Sequence, residues 1–467
     1  MKRISRGAAV VSAMLVTVPA FAADPDIVAL REELAEVRQI YEKRLSTLEA
    51  RLAQYEGKAA RSEAKAVSAE VIARKAVVAA SQKPASEAAF NPAISAVLMA
   101  TYGYTGRDPN HYAIQGFIPT GGDVTLPRRN FSLGESEIGI AADIDHLFRG
   151  QLTLSLPPKE NTIALEEAFA QTLSLGSGTT LRVGRFFSGI GYLNGQHAHA
   201  WDFVDAPLVY KVMLGGQLHS DGLQVKWIAP TDLFLEFGGE LANGGPFPST
   251  DRSENGATMY ALFAHAGGDV GLSSSWRAGV SWLNTSPRDR AYQDMNRLGN
   301  AVTDAFSGRS NLLIADGIWK WAPEGNATDR SLVLQGEFFL RDEQGLLRYD
   351  LTGAALSGDY AAQQAGLYGQ VLYQFIPHWR IGYRFDWLDS GSHNIGLVDS
   401  GALSSFDFPL LGGFSPKRHS VMLDWTPSEF SRIRFQYARD DASPGRTDNQ
   451  LWVQLITSFG AHGAHHF

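Results

Sequence analysis

Leu451-Trp452-Val453-Gln454-Leu455-Ile456-Thr457-Ser458-Phe459 alternates so that Leu451, Val453, Leu455, Thr457 and Phe459 share one face of an extended chain, which ends on an aromatic. Successive side chains of a strand point to opposite faces, so this segment presents one side to lipid. Short stretches of one-faced hydrophobicity repeated along a chain are the signature of a transmembrane β-barrel and not of a globular core. The pattern recurs upstream at 94–104, 133–145, 150–156, 163–173, 179–187, 222–229, 232–241 and 257–265. It continues at 273–283, 311–321, 331–341, 367–375, 379–387, 418–425 and 431–438. The reading is an all-β transmembrane barrel of about 16 antiparallel strands, an even number as bacterial single-chain barrels have.

Connection lengths agree with that reading. The connections 106–132, 188–221, 242–256, 284–310, 342–366, 388–417 and 439–450 are long, 157–162 being the short exception, whereas those between are brief turns. Long outer loops alternating with short periplasmic turns are the outer-membrane arrangement. The stretch 345–356 stays within one of the long loops on this reading.

The N-terminus carries an export signal. Lys2, Arg3 and Arg6 precede an apolar run from Ala8 to Val18, and Ala20 and Ala22 supply the small residues of a cleavage site, so 1–22 reads as a signal peptide. The run is too short to cross a bilayer as a helix, and no longer one occurs elsewhere. Residues 23–57 follow with Ile27, Leu30, Leu34, Val37, Tyr41, Leu45, Leu48, Leu52 and Tyr55 spaced by threes and fours. That narrow seam predicts an α-helical coiled coil, in the periplasm and trimeric, the alternative being a single amphipathic helix on a partner surface. Residues 58–92 are an Ala-rich spacer that Pro84 interrupts, and 93–467 form the barrel.

The 467 residues contain no cysteine, which excludes disulfides and thiolate chemistry, and the formal charge of −8 excludes a basic footprint for nucleic acid. No Gly-x-Ser-x-Gly, His-Glu-x-x-His or phosphate-loop pattern occurs, so an enzyme is not expected.

Parity also assigns the inner face. With Trp379, Ile381, Tyr383, Phe385 and Trp387 outward, Arg380, Arg384 and Asp386 face the lumen; the same logic turns Arg418, Asp424, Arg432 and Arg434 inward, and Arg182 across the ring. A row of guanidiniums in a water-filled pore lowers the barrier for anions and binds carboxylate or phosphate in paired hydrogen bonds. The competing expectation is that these arginines neutralise facing acids such as Glu135, Glu137 and Glu337. The long connection after 179–187 holds His197, His199, Asp202 and Asp205. Imidazole with carboxylate is the donor set zinc takes, which makes His197, His199 and Asp202 a metal candidate and zinc the one cofactor considered. His462, His465 and His466 add a polar tail.

The Gly184-Arg185-Phe186-Phe187 strand end leading into a long inward loop resembles the phosphate-selective porins. Together with the N-terminal coil it is similar to DcaP-like trimeric porins and sucrose porins. The segment Gly191 to Phe203 also resembles exported proteins labelled zinc-regulated or TonB-dependent receptor-like. The first resemblance implies passive diffusion of small hydrophilic solutes, anions favoured, through a homotrimer set among outer-membrane lipids and lipopolysaccharide. The second implies metal-linked uptake, and a tether to the cell wall is a third reading. A TonB receptor needs a large plug domain and about 22 strands, which this chain lacks.

Overall fold

The computed structural model describes Gln39, Lys43, Ser46 and residues 92–120, 126–156, 163–173, 175–245, 247–250 and 255–460. Gln39, Lys43 and Ser46 are helical. The signal peptide, the rest of the coiled-coil reading, the spacer through residue 91 and the histidine tail lie outside the described residues.

The wall begins with β1 (Ala93–Thr105), β2 (Asn130–Leu133), β3 (Ser136–Asp143), β4 (Phe148–Leu156), β5 (Ala164–Thr172) and β6 (Thr179–Phe187). It continues with β7 (His219–Ile228), β8 (Phe234–Ala242), β9 (Met259–Val270), β10 (Ser274–Thr285) and β11 (Arg290–Met295). β12 (Ala301–Trp321), β13 (Ser331–Tyr349), β14 (Leu356–Ile376), β15 (Trp379–Ile395), β16 (Lys417–Ser428), β17 (Ser431–Asp441) and β18 (Asp448–Gly460) complete it. β2 and β3 both pair with β1, and β10 and β11 both pair with β12, so each couple fills one position and the wall has 16 strands. Neighbours are antiparallel, and β1 closes on β18 from Ser95↔Gly460 to Thr105↔Gln450. Closure leaves no edge, which is what lets a sheet sit in hydrocarbon with its backbone groups satisfied.

Parity governs the outer face. Leu98, Val280, Leu313, Phe435 and Leu455 are exposed, whereas Val97, Leu312, Gln436 and Ile456 beside them are buried. No described helix is long and apolar enough to cross a membrane.

The wall is uneven in height. β3 to β8 have 8 to 10 residues, close to the length a tilted transmembrane strand needs. β12 and β14 have 21 each and β13 has 19. The connections 284–310 and 342–366, and the start of 388–417, are therefore largely strand and not loop. The turn between β13 and β14 is only 350–355, with Asp350 and Ala355 at positive φ. The reason is that the outward face turns mostly polar part-way up these strands. Along β13, Leu334, Phe338 and Leu340 are exposed outward while Gln335, Glu337 and Arg341 are buried inward. Beyond Arg341 the outward residues are Asp342, Gln344, Leu346 and Arg348, three of the four polar, and the buried ones include Glu343, Leu347 and Tyr349. Asn284, Asn311, Asp342 and Gln363 stand at one level, each paired with the next across β10, β12, β13 and β14. Above that row the exterior meets water and the interior packs on loops: Leu347, Tyr349, Phe306 and Tyr360 form one apolar cluster with Ile118, Phe408 and Leu411.

Candidate functional site

The barrel interior is crossed by the segment after β6, residues 188–218, which carries a short helix α1 (Leu208–Leu214). Its apolar residues Ile190, Leu193, Trp201, Leu208, Tyr210 and Met213 pack on inward wall residues Phe263, Leu312, Phe339 and Tyr368. Inside a polar barrel such a segment must also have its backbone groups satisfied, and the inner wall provides partners all round. Glu240 accepts from Ser188 Oγ at 2.6 Å and from the Gly189 N–H at 2.8 Å. Glu337 accepts from the Tyr192 and Leu193 N–H groups and from the hydroxyls of Tyr210 and Tyr368, at 2.7–3.1 Å. Gly191 makes this approach with φ +63; a Cβ there would lie 2.4 Å from Glu337 Oε2. Glycine is the residue that takes this conformation without strain.

The inward arginines hold the other end of the segment. Arg384 donates to the Asp205 carbonyl at 2.8 Å, to its carboxylate at 3.2 Å and to Asp386 at 3.1 Å. Arg418 donates to Asp205 Oδ2 at 2.6 Å, to the Ala206 carbonyl at 2.9 Å and to Asp386 at 3.3 Å. Arg434 grips Asp424 with two hydrogen bonds and the Trp201 carbonyl with a third. Asp386 in turn accepts from the Leu208 N–H at 2.9 Å. Lys211 donates to Asp205 at 2.7 Å. Burial alone would raise the Asp205 carboxyl, but the Arg418, Lys211 and Arg384 charges around it hold it well below the usual carboxylate range.

All five clustered arginines face inward, but the solvated row expected from parity is largely covered. Arg384, Arg418 and Arg434 are 2%, 0% and 1% exposed because the segment lies on them. Asp386 and Asp424 are buried with them. Arg380 bridges Asp424 at 2.7 Å and Asp202 at 3.0 Å and keeps 24% of its side chain exposed. Arg432 donates to the His199 carbonyl. Arg380, Arg432 and His199 line a cavity of about 760 Å³ open toward the short turns. A second cavity of about 940 Å³ opens among the long loops, beside Arg107, Tyr112 and Asp440. Arg182 stands apart from this group: it donates to Gln171 and lies over the Phe169 ring at 4.1 Å.

The metal trio read from sequence is not brought together. Asp202 is taken up by Arg380 and by Gln370, because the extended chain after Trp201 runs along the arginine wall. His197 and His199 instead meet glutamates of β3 and β5. His197 Nδ1 lies 3.1 Å from Glu137 Oε2 and 3.3 Å from Glu166 Oε2, and its Nε2 is 3.2 Å from Glu167 Oε2. His199 Nδ1 is 3.0 Å from Glu137 Oε1, its ring stacked on that of His197. Glu166 and Glu167 are consecutive yet both buried, since a register shift pairs Thr153 with Glu167 and Leu154 with Leu165, leaving Glu166 unpaired in the ladder. A bulge of this kind re-aims a side chain, so simple parity could not find the pair.

No protein-family model matches the chain. A relative from Aquifex aeolicus (strain VF5), described only as an uncharacterized protein, is 29% identical over 409 residues, covering 82% of this chain and 81% of its own. Among solved structures, the outer membrane channel DcaP of Acinetobacter baumannii is 10% identical with TM-score 0.47, over 79% of this chain and 97% of that one. Pseudomonas putida OprB is 14% identical with TM-score 0.43, over 80% and 95%. The anion-selective porin from Comamonas acidovorans is 10% identical with TM-score 0.40, over 79% and 99%.

Proposed function

We propose that the protein is an outer-membrane channel for passive diffusion of small hydrophilic solutes, favouring anions, that works as a homotrimer among outer-membrane lipids and lipopolysaccharide. The N-terminal extension lies in the periplasm on this reading. The observation that carries it is the pairing of a closed barrel with an inward segment that narrows the interior beside Arg380 and Arg432. Their guanidiniums border the cavity at the short turns, where they offer charge-assisted hydrogen bonds to carboxylate or phosphate groups passing through. Arg384, Arg418 and Arg434 act in support by fixing the segment.

Planar-bilayer recording tests the proposal. The wild type is expected to open in discrete steps with a reversal potential on the anion side. R380Q/R432Q moves that potential toward zero with little change in step size. A silent wild type rejects the channel, and an unchanged potential in the variant rejects these two residues as the filter.

A further inference from the structure

We propose that Glu137, Glu166 and His197 bind a divalent transition-metal ion of the zinc class, which staples the inward segment 188–218 to the wall at β3 and β5. One ligand atom from each residue converges within 4.8 Å of the others. The 3.1 and 3.3 Å separations of His197 Nδ1 from the two carboxylates match the edge of a tetrahedron about zinc, roughly 3.3 Å for bonds of about 2.0–2.1 Å. A metal at that point takes the place of the proton on Nδ1, with water completing its coordination.

The surroundings are those of a supported site. A metal-bound imidazole usually gives its other ring N–H to a carboxylate, which orients it, and Glu167 stands 3.2 Å from His197 Nε2 for that role. Glu167 is itself held by Gln151 Nε2 at 3.1 Å. On the far side, His199 Nδ1 meets the second oxygen of Glu137 at 3.0 Å, fixing which oxygen faces the metal. Three carboxylates converge on one imidazole here, an excess of negative charge with little water to screen it. Arg182 is within electrostatic range of Glu167, but its hydrogen bonds go to Gln171. A divalent cation offsets that excess. The site is reachable: His197 is one-fifth exposed, and neighbouring His199 lines the cavity toward the short turns.

The test is zinc binding to the full-length protein in detergent, stripped with chelator and titrated with Zn²⁺ in a calorimeter. One equivalent per chain is expected, retained when residues 461–467 with their three histidines are removed. E166Q and H197Q abolish this equivalent, and E167Q weakens it by about 10–100-fold. X-ray absorption at the zinc edge of the tail-deleted protein reads the same site without any wall variant, and should report one imidazole among oxygens. Failure of the tail-deleted protein to bind zinc overturns the proposal, as does a shell of several imidazoles or unaltered binding by folded E166Q. Binding is read without ion conduction, so this proposal and the channel reading fail separately.

Discussion

Arg418 is fully buried between Asp205 of the inward segment and Asp386 of the wall. Removing one partner of such a group leaves an uncompensated buried charge, which costs about 3–5 kcal/mol. R418A should therefore lower the stability of the folded barrel by that amount in urea titration in detergent; a loss under about 1 kcal/mol would mean the network is solvated. Asp205 supplies a pH dependence of defined sign. Its folded carboxyl is held below the usual range, so its contribution is present above the unfolded pKa of about 3.9 and is lost only as pH falls further. The difference in thermal midpoint between wild type and D205N should stay flat from about pH 8 to 5 and shrink below about 4. A difference that vanishes near pH 6 contradicts the ion-pair account. Parity alone placed Arg384, Arg418 and Arg434 on the inner face. What it could not supply was Asp202 and Asp205, which come from far earlier in the chain and become partners only through the path of the inward segment. Glu166 and Glu167 escaped for a different reason, since a bulge breaks the alternation on which the reading rests.

Among elements, the segment 188–218 depends on backbone reaching the wall, and Gly191 is where that approach is tightest. G191A adds a positive-φ strain of about 1–3 kcal/mol and pushes against Glu337, which four donors hold in place. Lys211 is the sole trypsin site in this segment and is 2% exposed. Trypsin should leave the wild type uncut there and cleave G191A at Lys211; equal resistance would show that the segment tolerates the methyl group. The strand positions in the membrane were readable because lipid demands one apolar face. The upper parts of β12, β13 and β14 were not, because their outward face turns mostly polar at Asn311, Asp342 and Gln363, so the lipid-facing alternation stops there.

At the level of the whole molecule, the closed wall satisfies its own backbone and needs no disulfide, consistent with a chain free of cysteine. Self-association on our reading comes from 23–57 as well as from the outer wall. Deleting 23–57 should weaken the trimer while leaving the barrel folded, as native mass spectrometry and heat-modifiable gel mobility would report. Intact trimers at all dilutions would assign assembly to the barrel alone. The polar row through Asn284, Asn311, Asp342 and Gln363 has one more consequence. Because the outward face is apolar below it and mostly polar above, the row acts as a waterline: it determines how deep the protein floats, and so how far the tall side of its rim rises above the headgroups as a one-sided parapet over the entrance.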